Sequence, residues 1–162
     1  MRIGLLSDTH NDRHAVDQAL ARLRSEGIAT VLHAGDVTSS DTLRLFEGFD
    51  VWIARGNMDS DASLVTTAHE LFGAGRLKQI QQLVWDGVSI ALAHDIGAVE
   101  VRRLVMAGQT DYVIVGHSHR RYDQIVGRTR VINPGALGNA RWDRPSFAIL
   151  DTDLGDLASI EL

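Results

Sequence analysis

The tightest constraint on this chain is a recurrence: a short apolar, β-branched run that stops at a side chain able to hold a cation. Val113-Ile114-Val115 leads into Gly116-His117-Ser118-His119. Such a run reads as a buried strand, with the glycine as its stop. The same design recurs four times: residues 2–7 run into Asp8-Thr9-His10, 31–34 into Gly35-Asp36, 51–54 into Gly56-Asn57, and 89–93 into His94. Buried strands of α/β sheets present ligand groups at their carboxyl ends. Five strand ends finishing in Asp, Asn or His therefore imply a single polar focus.

Between these ends the chain alternates. Ala15, Ala19, Leu20 and Leu23 recur at helical spacing within 13–26, and Gly27 is a fitting stop. Ser39, Ser40 or Asp41 can cap a helix running to about Glu47, closed by Gly48. Strands alternating with helices over the first 55 residues predict parallel pairing. Residues 62–72 hold one short helix, and 97–107 a further one with Val101, Leu104 and Val105 inward. The later chain instead carries hairpin signals: Trp85-Asp86-Gly87 between 79–84 and 88–93, Gly127-Arg128 between 123–126 and 129–132, and Leu154-Gly155-Asp156 between 146–150 and 157–160. The expected fold is α/β, one domain over 1–162: a two-sheet sandwich of mixed parallel and antiparallel strands with flanking helices. A chain of 162 residues buries about 70% of its extended surface on folding, so no staple is needed.

Asp8 and His10 are two residues apart, as are His117 and His119, so in extended backbone each pair points to one side and can grip one ion. With Asp36, Asn57 and His94 the set holds two carboxylates, four imidazoles and one amide. That is too many ligands for one tetrahedral zinc and suits two ions of higher coordination. Asp36, alone on its loop after a glycine, is the expected bridge. Cysteine is absent, which removes thiolate sites, and mixed O and N donors favour manganese, with nickel, iron, zinc or magnesium as alternatives.

Asp8-x-His10, Gly35-Asp36, Gly56-Asn57-x-Asp59, His94 and Gly116-His117-x-His119, in this order, resemble the signature of the calcineurin-like metallophosphoesterases. Asn133-Pro134-Gly135, Arg141 and Pro145-Ser146 resemble the tail of their small YfcE-type phosphodiesterase branch. The resemblance implies a metallophosphoesterase-like sandwich with one metal on Asp8, His10, Asp36 and His119 and a second on Asp36, Asn57, His94 and His117. It also implies attack on a phosphate ester, most simply a diester, by a metal-bridging hydroxide. Vps29-type proteins share this fold and length but serve as non-catalytic interaction scaffolds; the seven metal-competent positions favour the enzyme. A haloacid-dehalogenase-type site would want a second Asp at His10, and no glycine-rich nucleotide loop occurs.

Three positions depart from the pattern. Met58 stands where many relatives carry a leaving-group acid, Asp95 replaces a glycine after His94, and Asn11 replaces one after His10, where asparagine tolerates positive φ. Other polar residues carry plainer expectations. His14, His33 and His69 read as structural, Asn133-Pro134-Gly135 as a turn, and Trp52 and Trp85 as packing. Asp12 and Asp59 are equally readable as partners that orient ligand histidines or as ordinary loop acids. Trp142, in a polar loop, could pack or line a pocket. A net charge of −5 with no basic run excludes extended nucleic acid as a partner. With no signal-peptide pattern and no apolar stretch near 18 residues, a cytoplasmic protein acting on a small phosphate ester is expected. Open edges on the hairpin-rich half suggest a homodimer.

Overall fold

The computed structural model describes residues 1–95, 97 and 99–162. In chain order the elements are β1 (Arg2–Leu6), α1 (Arg13–Ser25), β2 (Thr30–His33), α2 (Ser40–Leu43), β3 (Asp50–Ala54), α3 (Ser63–Phe72), β4 (Leu77–Lys78), β5 (Ile80–Trp85), β6 (Val88–Ala93), α4 (Val99–Ala107), β7 (Tyr112–Ile114), β8 (Tyr122–Val126), β9 (Thr129–Asn133), β10 (Ser146–Asp151) and β11 (Asp156–Glu161). Asp12 caps α1 by accepting the Ala15 N–H, and Ser39 caps α2 by accepting that of Thr42. The expected 40–47 helix tightens into a 3₁₀ turn at Arg44–Phe46. α4 begins at Val99, and its expected earlier start includes Ala98, which lies outside the described residues.

The strands form two sheets, ordered β11-β10-β1-β2-β3-β4 and β5-β6-β7-β9-β8. β1, β2 and β3 are parallel, with Gly4 opposite Val31 and Val31 opposite Val51. β10 returns antiparallel to β1, Ile3 facing Leu150. The second sheet is more parallel than its hairpins suggested, because β6, β7 and β9 run side by side in one direction.

Alternation along the strands sorts the core into layers. Ile3, Leu5 and Leu32 face Leu92, Ile114 and Ile132 across the sandwich. Leu6, Val31, Val51 and Phe147 point the other way, onto Val16, Leu20, Leu23 and Leu64 of the helices. Val101 of α4 covers Ala91, Val113 and Val131 on the outer face of the second sheet. The sandwich so made brings the carboxyl ends of β1, β2, β3, β6 and β7 together.

Candidate metal centre

Three of the loops leaving these strands, those after β1, β2 and β7, are tight and strained. Asp8, His10, Asp36, His117 and His119 have φ of 51°, 42°, 58°, 66° and 55°, as do Asn11 at 62° and Thr38 at 73°. Left-handed backbone is uncommon outside glycine and concentrates at functional sites, where surrounding structure enforces it. It also corrects a simple expectation: the two-residue pairs are not extended, so spacing does not put each pair on one ion. His119 joins Asp8 and His10, whereas His117 turns toward His94 and Asn57.

Two clusters result. In the first, His119 Nε2 lies 3.3 Å from Asp8 Oδ1 and 3.2 Å from His10 Nε2. In the second, Asn57 Oδ1 lies 3.0 Å from both His94 Nε2 and His117 Nδ1. One atom lies near both: Asp36 Oδ2 is 3.6 Å from His10 Nε2 and 3.5 Å from His94 Nε2. All seven expected side chains thus come together.

The surrounding chain fixes how each group presents itself. His94 Nδ1 is 2.7 Å from the Ala34 carbonyl, and His119 Nδ1 is 2.9 Å from that of Asn139. A carbonyl only accepts, so each ring donates there and turns the lone pair of its Nε2 into the site. Each carboxylate is likewise held by one oxygen. Asp8 Oδ2 accepts the Ser7 hydroxyl and the His117 N–H, while Asp36 Oδ1 accepts the Met58 N–H. The other oxygen of each faces the centre, and Asp8 Oδ1 is buried without any hydrogen-bond partner. Burial raises the Asp8 carboxyl above its ordinary value, against the pull of Ser7, His94 and His119, and the same desolvation lowers the His10 imidazole. Lone pairs and an orphaned carboxylate oxygen converging in a buried space fit a cation.

Further residues hold the loops. Asp59 is buried: its Oδ2 accepts the N–H groups of Asp36 and Gly56, and its Oδ1 that of Thr38. It therefore orients backbone rather than histidine rings. Asn133 donates through Nδ2 to the Gly116 carbonyl and Ser118 Oγ, propping the histidine loop, a role with no local sequence signal. A Cβ at Gly56 would sit 2.0 Å from Asp36 Oδ1, and one at Gly116 would sit 2.6 Å from Asp8 Oδ2. Close approach, more than turning, explains both glycines. Asn11 Oδ1 accepts the hydroxyls of Ser39 and Thr42. Asp95 Oδ1 accepts the Gly97 N–H and takes no part in the clusters. His14 and His69 are exposed on α1 and α3, away from the centre. His33 is buried edge-on against Phe46, its Nδ1 accepting the Gly35 N–H, and burial pushes it down to about 4.

Two cavities open onto the centre. One of about 290 Å³ is lined by His10, Asp36, Met58, His119, Arg141 and Trp142 among others, and one of about 560 Å³ by Arg55, Gln79, Ile80, His94 and Glu100 among others. Asn57 and His117 line both.

Residues 1–155 match a family profile described as the calcineurin-like phosphoesterase superfamily domain. A phosphodiesterase of Methanocaldococcus jannaschii is 27% identical over 165 aligned positions, which cover 100% of this chain and 99% of that one. The solved structure of an archaeal phosphodiesterase, also at 27% identity, covers 100% of both chains with a TM-score of 0.90. A single-mutant Vps29 from Entamoeba histolytica covers 100% of this chain and 99% of its own with a TM-score of 0.72, but at 19% identity that likeness is one of fold alone.

Proposed function

Because this chain belongs to the calcineurin-like phosphoesterase superfamily and so hydrolyses phosphoric esters, we propose that it is a dinuclear metal-dependent phosphodiesterase. Asp8, His10, Asp36 and His119 would hold one divalent cation, and Asp36, Asn57, His94 and His117 the other. The observation that carries this reading is the single Asp36 oxygen lying 3.6 Å and 3.5 Å from an imidazole nitrogen of each cluster. Manganese suits this oxygen-and-nitrogen set, with nickel, iron, zinc or magnesium as alternatives.

A cation pair supplies an acidified water and offsets charge on the phosphoryl oxygens. The chain's own part is positioning. The Ala34 and Asn139 carbonyls fix two ring orientations, Ser7 and the Met58 N–H fix two carboxylates, and Asp59 fixes the loops that bear Asp36 and Asn57. The cavities on either side of Asn57 and His117 give a tetrahedral phosphorus room for two ester arms, which supports a diester. The relative named a phosphodiesterase supports the same class.

Elemental analysis after reconstitution is expected to saturate near two ions per chain, with hydrolysis of bis(4-nitrophenyl) phosphate lost to chelator and restored by manganese. Asp36→Asn should weaken both sites and His94→Ala mainly one, each by roughly tenfold or more. Saturation at one ion with full activity overturns the dinuclear reading. Bound metal with no turnover of any mono- or diester overturns the enzyme in favour of a Vps29-like scaffold.

A further inference from the structure

Trp142 is 62% exposed, yet it is held firmly. Its loop is tied four ways to the loop that carries the candidate ligands His117 and His119. The Asn139 carbonyl accepts from His119 Nδ1 at 2.9 Å, and Asp143 Oδ2 accepts the Arg121 N–H at 2.9 Å. The Arg121 side chain lies 3.8 Å from the same carboxylate oxygen. The Arg120 guanidinium covers the indole, 4.3 Å from the ring centroid. Burial drives none of this, because most of the indole stays in water. The ring instead lines the smaller cavity beside His10, His119 and Arg141, where an ester arm must lie if phosphorus sits at the centre.

A large, flat, exposed ring, covered on one face by a cation and lining the cavity beside His10 and His119, is suited to stacking a second flat ring. We infer that Trp142 is a platform for a nucleobase, so that the preferred substrates are phosphodiesters with a nucleoside arm; this rests on the hydrolase reading above. Arg141, lining the same cavity, adds positive charge for the phosphate. Stacking tolerates any base, so selection is for nucleosides over alkyl arms rather than for one base. The sequence carries no basic run that would track a long strand, which limits the substrate to a short nucleotide ester.

The test compares thymidine 5′-(4-nitrophenyl phosphate) with methyl 4-nitrophenyl phosphate, which share a leaving group and differ in the retained arm. The metal-loaded parent is expected to favour the nucleoside ester in kcat/KM by about 5- to 100-fold. Trp142→Ala should abolish most of that preference through KM, and Trp142→Phe should keep it. Independently of turnover, AMP but not ribose 5-phosphate should quench tryptophan fluorescence in the parent, and neither should in Trp142→Leu. Absence of a nucleoside preference, its survival in Trp142→Ala, or equal losses on both esters overturns the platform while leaving the hydrolase intact. If the parent cleaves neither ester, the phosphodiesterase reading fails, and fluorescence alone decides the stack: no quenching by AMP overturns it.

Discussion

Met58 follows Asn57 and donates its N–H to Asp36 Oδ1, leaving its side chain 53% exposed over the smaller cavity. A thioether carries no proton, and a missing general acid typically lowers rates about 10²- to 10⁴-fold, most for poor leaving groups. Log rate against leaving-group pKa for aryl phosphodiesters should therefore fall steeply, with alkyl esters slowest; Met58→His should flatten the line and help alkyl esters most. Asp59 cannot substitute, because both its oxygens accept backbone N–H groups. A shallow slope in the parent would mean another acid, and Asp95→Asn and Glu100→Gln, made separately, would test the two carboxyl groups that line the larger cavity. A second residue makes stability depend on pH. His33 is pushed from 6.5 to about 4 by burial, so the folded state resists a proton that the unfolded chain takes up. Its contribution is complete above 6.5 and is lost as pH falls toward 4, by at most on the order of 3 kcal/mol. In metal-free protein, denaturation curves from pH 7.5 to 4.5 should show a flatter loss for His33→Asn, whose amide oxygen can keep the Gly35 contact; equal slopes would refute this. The seven convergent side chains were legible because Asp, Asn and His at strand ends are conspicuous. Their backbone was not: left-handed φ at His117 and His119 depends on Asn133 of β9 and on Asp8 in the loop after β1, both distant in sequence.

The elements most worth perturbing are the loops after β2 and β3, which Asp59 joins. Asp59→Asn would place an NH₂ against donors of Asp36, Gly56 or Thr38, leaving buried groups unpaired at about 1–3 kcal/mol. Metal affinity should fall about 10- to 100-fold in a titration with manganese. Unchanged affinity with lowered stability would confine Asp59 to scaffolding. Strand positions were readable from periodicity, and β3 and β6 fall where expected, because buried runs bounded by glycine leave little choice. β4 was not readable: two residues, Leu77 and Lys78, pair with Ile53 and Ala54 only because the chain passes there on its way to the second sheet. The shortened α2 follows a similar rule, as Leu43 and Phe46 are pulled into the core beneath β2 and β3.

Among the described residues no helix is long and apolar enough to cross a membrane. The second sheet ends in β8, whose Ile125 and Val126 are exposed, an edge suited to a second copy. Sedimentation at micromolar concentration is expected to show a species of twice the 17.7 kDa chain mass, and a single species at 17.7 kDa would remove the dimer. The order of the first sheet also sets a timetable. β1 lies between β2 and β10, so one flank of β1 has no neighbour until residues 146–151 exist. At 5–20 residues per second, a ribosome leaves that flank waiting roughly 7–30 s. Ile3 and Leu5 must meanwhile be shielded by chaperones or by transient, non-native contacts. The clusters themselves need residues from Asp8 to the Asn139 carbonyl. Metal loading therefore waits until Asn139 has been made, and a nascent chain stalled before that residue should remain protease-sensitive whatever cation is offered.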